Sequence, residues 1–139
     1  MTKLVDIEEI GGVYAEKLIS VGIKSVEQLR DYCGQRKARI ALAGHTQISE
    51  KLILSWVNRA DLCRIKGINS QYADLLVRAG VDSVPKLAQS NPEELYQQLL
   101  ESENIDTIDR FPSVTSIADW IEQAKMLPIV VFHWYWKMS

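Results

Sequence analysis

Ile65-Lys66-Gly67-Ile68-Asn69-Ser70-Gln71-Tyr72-Ala73 repeats, 58 positions later, the pattern Ile7-Glu8-Glu9-Ile10-Gly11-Gly12-Val13-Tyr14-Ala15. The same register continues without a gap on either side. Leu4 falls on Leu62, Leu18 on Leu76, Gly22 on Gly80, Ile23 on Val81, Ser25 on Ser83, Val26 on Val84 and Leu29 on Leu87. The matched positions are mostly apolar or glycine, the positions that a shared backbone demands, so an internal duplication organises the chain. Later parts match at an offset of 64, with Ile53, Trp56, Val57 and Ala60 on Ile117, Trp120, Ile121 and Ala124. The difference between the two offsets is expected as an insertion between Leu87 and Pro112.

Each copy reads as helices. Tyr14, Ala15, Leu18 and Ile19, and their counterparts around Tyr72, Ala73 and Leu76, follow helical i, i+4 spacing. Gly22 and Gly80 stand where a left-handed C-cap belongs. Ser25 and Ser83 then cap a second short helix, with Gln28 completing a capping box in the first copy. Ser49 is placed to cap a helix running to about Ala60, with Ile48 and Ile53 as a hydrophobic staple. Asn91-Pro92-Glu93-Glu94 is a helix start, and Ser113 opens a last helix that Pro128 ends. Gly44 marks an expected helix end before His45. Ile129 to Trp136 is the single β-prone stretch.

The two quoted segments resemble the helix-hairpin-helix motif, in which a glycine-hydrophobic-glycine turn leads into a helix with alanine and leucine on its buried face. The tandem, with Trp56 closing the first copy, is similar to a bacterial family of uncharacterised tandem helix-hairpin-helix domains. The likeness covers roughly residues 4 to 127. It implies an all-helical fold and a link to DNA, and no particular activity. The expected architecture is all-α, with two tandem repeats, residues 1–61 and 62–127, in one compact domain with a shared core. A short extended aromatic tail, residues 128–139, follows.

The chemistry of such a turn is simple. The central Ile10 or Ile68 plugs between helices, and glycine permits positive φ and close approach of another backbone. The following helix N-terminus offers unpaired N–H groups and the positive end of its dipole to a phosphate. Contacts of this kind hold a nucleic-acid backbone without reading its sequence. In the first copy Glu9 replaces the first glycine, and Asp6, Glu8 and Glu9 together repel a phosphate. That copy is expected to be structural. The second keeps Gly67, has Asn69 where the second glycine belongs, and is flanked by Arg64 and Lys66. Asn69 is expected to take the left-handed region. The candidate nucleic-acid contacts are therefore Arg64, Lys66, Gly67, Ile68, Asn69 and Ser70. Arg36, Lys37 and Arg39, from the densest basic stretch, join them. A solvated helix face is the plainer reading of the stretch Gln35 to Arg39.

Composition limits the alternatives. The chain has 139 residues, 47% hydrophobic and 24% charged, with a net charge of −2, unlike a basic nucleic-acid packer. Residues 1–61 carry a net +1 and residues 62–139 a net −3, so the better turn lies in the more acidic half. No leader of the secretory kind opens the sequence and no apolar run is long enough to span a bilayer, so a cytoplasmic location is expected. Cys33 and Cys63 form no CxxC, and neither His45 nor His133 has a partner at ligand spacing, so no metal or cofactor is expected. Motifs for a P-loop, a nucleophile elbow or a zinc protease are missing, and nothing identifiable near Lys66 would lower its pKa for Schiff-base chemistry. No catalysis is expected. Tyr14 and Tyr72 suit either base stacking or core, and Trp56 and Trp120 suit core. The tail concentrates four of the eleven aromatic residues. Phe132, Trp134, Tyr135 and Trp136 therefore either complete the core or dock a protein partner or second copy. The leading expectation is sequence-independent binding of a DNA or RNA backbone, with a protein-interaction or scaffold module as the alternative.

Overall fold

The structure is a computed structural model that describes residues 2–7, 9–102, 108 and 110–132. It is all-helical. A 3-10 turn, Leu4–Asp6, precedes α1 (Gly12–Ser20), α2 (Val26–Tyr32), α3 (Arg36–Thr46), α4 (Glu50–Leu62), α5 (Ser70–Arg78), α6 (Val84–Ala88), α7 (Pro92–Leu100) and α8 (Val114–Met126). Two compact units divide the chain: residues 2–61 with Val130, Val131 and Phe132, and residues 62–129.

Within each unit the opening turns are built alike. In the first, Ile7 N–H donates to Leu4 O and Ile10 N–H to Ile7 O; in the second, Ile65 N–H donates to Leu62 O and Ile68 N–H to Ile65 O. α1 and α5 end alike too. Gly22 (φ 92°) and Gly80 (φ 97°) occupy the left-handed region. Ile23 N–H reaches back to Leu18 O and Val81 N–H to Leu76 O, closing a Schellman cap in each unit. Ser25 Oγ then accepts from Gln28 N–H, and Ser83 Oγ from Lys86 N–H. Gln28 departs from the expected capping box, because its Oε1 accepts from Lys24 N–H (2.7 Å) rather than from Ser25. Ser49, Asn91 and Ser113 cap α4, α7 and α8 as their spacing predicts.

The expected helix end at Gly44 is corrected: α3 runs through it to Thr46, and Gln47 (φ 63°) takes the left-handed cap. The Thr46 hydroxyl donates to Leu42 O and accepts from Ile48 N–H, which fixes the end two residues later. Residues 129–132 form no strand, and among the described residues the one β-type pairing is an isolated bridge, Lys3 to Ser25. The rest of the β-prone stretch lies outside the described residues.

A shared core was the expectation; two hydrophobic clusters are found. One draws on residues 4–60 with Val131, the other on residues 62–124. Each is closed by its own tryptophan, Trp56 against Tyr14 (ring centroids 5.1 Å apart) and Trp120 against Tyr72 (5.2 Å). Such tilted ring pairs add about 0.5–1.5 kcal/mol to burial in each unit.

Cys33 is fully buried and Cys63 partly so, neither in a disulfide. Burial pushes the Cys33 thiol from 9.0 up to about 11, against the opposing pull of the Arg39 charge. Because the unfolded thiol loses its proton first, this contribution to stability is intact below about pH 9 and declines from there towards pH 11. A thiol reagent at pH 8 is expected to label Cys63 on the folded chain and Cys33 only after denaturation, as read by mass spectrometry. Equal labelling rates would show that the first core opens readily.

Candidate functional site

In the second unit the turn between Ile65 and Ser70 stands at the surface. Ile65 and Ile68 are buried as plugs, while Lys66, Gly67 and Asn69 are exposed. Gly67 holds φ at 100°. Asn69 does not take the left-handed region that its residue type suggested. It is extended (φ −93°, ψ −176°) and caps α5, its Oδ1 accepting from Tyr72 N–H at 2.9 Å. That bond satisfies one of the first-turn donors of α5, and those of Ser70 and Gln71 remain at the open end of the helix.

The turn is clamped from α8. Gln123 Oε1 accepts from Lys66 N–H (2.9 Å), and Gln123 Nε2 donates both to Lys66 O (3.0 Å) and to Asp119 Oδ2 (2.9 Å). The backbone of Lys66 is thus committed to the fold, while its side chain is exposed. Beside it opens a groove of about 280 Å³. It is lined by Lys66, Gly67 and Tyr72 together with Pro112, Thr115, Ser116, Asp119 and Trp120. The Tyr72 hydroxyl donates to Arg110 O (2.6 Å), which fixes the ring. A Cβ built on Gly67 would come within 2.9 Å of Trp120 Nε1, so a glycine is needed there both for φ and for room.

The first unit closes the equivalent place. Glu9, at the position of Gly67, turns its carboxylate to α4, with Arg59 Nη2 to Oε1 at 3.2 Å and Ser55 Oγ donating to Oε2 at 3.3 Å. Arg59 also donates to Ser55 and is almost wholly buried. At the offset of 64, Ser55 and Arg59 correspond to Asp119 and Gln123. The same two helix positions therefore hold the turn in both units, by a largely buried ion pair in one and a neutral amide clamp in the other. In the first unit Glu9 is consumed by this pair rather than presented to an incoming phosphate.

A family model described as a domain of unknown function, DUF4332, matches residues 8–127. The chain belongs to the DUF4332 family. No curated protein and no solved structure matches it. The match covers both turns and both closing helices of this DUF4332 chain.

The remaining expected contacts scatter. Arg36 and Lys37 are exposed at the start of α3. Arg39 is not on a phosphate-binding surface: it is 1% exposed. Its guanidinium donates to Cys33 O (2.9 Å), Gly34 O (3.0 Å) and Phe132 O (2.7 Å), with Nε 3.6 Å from Glu50 Oε1. Burial lowers its pKa and the Glu50 carboxylate opposes that. Helical spacing separates Arg39 from the exposed Lys37, roughly 200° away around α3, and puts it on the face of buried Leu42 and Thr46. Arg64 is half-buried, with Nη2 donating to Pro128 O at 2.9 Å. Of the expected partner-docking residues, Phe132 is half-buried and its N–H donates to Gly34 O (2.8 Å). Trp134, Tyr135 and Trp136 lie outside the described residues. Among the described residues no three His, Cys, Asp or Glu side chains cluster to hold a metal, and no helix is long and apolar enough to cross a membrane.

Gln123, Asp119 and the groove-lining residues of α8 did not emerge from the motif. Their signal was nevertheless present, since the offset that pairs Trp56 with Trp120 also pairs Arg59 with Gln123 and Ser55 with Asp119.

Proposed function

We propose that the chain is a non-catalytic binding module with two tandem helix-hairpin-helix repeats, and that its second turn grips a DNA or RNA backbone without reading sequence. The asymmetry between the turns carries this reading. Glu9 fills and neutralises the first, whereas Gly67 leaves the second open between an exposed Lys66 ammonium and the N-terminus of α5. Lys66 and the first-turn N–H groups of α5 hold a phosphate, with Ile68 as the plug that shapes the turn. Arg36 and Lys37 offer further phosphate contacts on the first unit. Cys33 and Cys63, neither in a disulfide, accord with a cytoplasmic setting.

The test is fluorescence anisotropy of labelled DNA at two salt concentrations. Lys66→Glu is expected to weaken binding of all sequences alike, by about tenfold, and to flatten the log–log salt slope by about 1. No binding at low salt would overturn the reading. A protein-interaction or scaffold role is the second reading, favoured by exposed Val5, Val13, Ile19 and Val21 on the first unit. It predicts no salt-sensitive DNA affinity at all.

A further inference from the structure

We propose that the groove beside Gly67 receives one unpaired nucleobase, which makes the module selective for single-stranded over duplex nucleic acid. This inference rests on the backbone-binding reading above and names what lies next to the gripped phosphate. The groove adjoins Lys66, so a strand whose phosphate meets that ammonium has its neighbouring base within reach of the opening.

Three features select a base as the occupant. The first is charge. Asp119 is exposed and lines the groove along with Lys66, and a carboxylate there repels a second phosphate while leaving a neutral base unopposed. The anion therefore stays at Lys66 and the uncharged ring enters. The second is the lining. Half-buried Tyr72 supplies aromatic surface, with buried Trp120 packed against it, and the Tyr72 ring is already held by its bond to Arg110 O, so little side-chain freedom is lost when a base stacks on it. Around them Thr115, Ser116 and Asp119 offer hydroxyl and carboxylate groups to the donors and acceptors of a base edge. The third is size. At about 280 Å³ the groove falls just below the roughly 300–1,000 Å³ of small-molecule sites, which suits a single ring system. A base paired and stacked within a duplex cannot reach such a recess without being extruded.

The first unit provides the internal contrast. At the matching position Glu9 carries its side chain across to Ser55 and Arg59, so the duplicated turn has the place of the groove occupied by its own carboxylate.

Anisotropy of the full chain would be compared for a labelled oligothymidylate and a duplex of equal length. Beside these, an oligothymidylate with 2-aminopurine at its centre reports stacking through fluorescence quenching. The single strand is expected to bind at least about tenfold more tightly than the duplex, with quenching on binding. Thr115→Trp fills the groove from an exposed first-turn position of α8. It is expected to lower single-strand affinity about tenfold and remove the quenching, with duplex affinity unchanged within about twofold. Binding that depends on Lys66 but does not distinguish the two forms, or that shows no quenching with the wild-type chain, would overturn the groove inference and leave the backbone reading standing. Absence of binding to either form would sink both. The wild-type quenching measurement decides the matter even if Thr115→Trp misfolds.

Discussion

Arg39→Ala is expected to destabilise the first unit by about 3–5 kcal/mol, the range for removing one partner from a buried, hydrogen-bonded charge. The guanidinium serves three carbonyls, at Cys33, Gly34 and Phe132, and lies beside Glu50. Deleting it leaves the buried Cys33 and Gly34 carbonyls without this donor, and also loosens half-buried Phe132, whose N–H donates to Gly34 O. The same segment packs closely on Gly34, where a Cβ would collide with the Val130 carbonyl. Arg39→Lys should recover only part of the loss, since a point-like ammonium cannot span a planar fork of acceptors. Urea denaturation followed by far-UV circular dichroism measures the difference. A loss below about 1 kcal/mol would mean that Arg39 behaves as a solvated surface residue, and the basic stretch would return as a phosphate-binding candidate.

Gly67→Ala comes next, at about 2–5 kcal/mol. A side chain at φ 100° costs about 1–2 kcal/mol on conformation alone. The 2.9 Å approach of the new Cβ to Trp120 Nε1 adds an overpacking cost of about 1–3 kcal/mol. Gly80→Ala separates the two effects, because Gly80 has nearly the same φ (97°) and nothing within 4 Å of a built Cβ. It should lose only the conformational part, about 1–2 kcal/mol. Equal losses for the two variants would show that the turn moves off Trp120 without cost. The groove would then be less rigid than its lining implies.

Much of this fold is legible in one dimension. The 58-residue repeat, the Schellman glycines Gly22 and Gly80, and the caps at Ser25, Ser83, Asn91 and Ser113 are local features. A short run of residues states them completely, because φ preference and side-chain-to-backbone hydrogen bonds act over a few positions. The failures are instructive for the same reason. Gly44 resembles a helix end, but Thr46, bonded to Leu42 and Ile48, places the end further on. Asn69 resembles a left-handed turn residue, but α5 needs an N-cap, and an extended Asn69 supplies it.

The sequence by itself determined that the chain is helical, that it is duplicated, and that only the second turn keeps a glycine in the first glycine position. Those properties follow from backbone conformation and apolar periodicity, which each residue carries with it. Tertiary structure decided what each charge does. Arg39 was indistinguishable from Arg36 and Lys37 until α3 turned it inward onto three carbonyls. Glu9 looked like a repulsive surface charge until α4 brought Arg59 to within 3.2 Å of it. The groove lined by Lys66 and Asp119 joins residues more than fifty positions apart. A charge acts through distance and dielectric, and both are set by which helices meet rather than by which residues are neighbours along the chain.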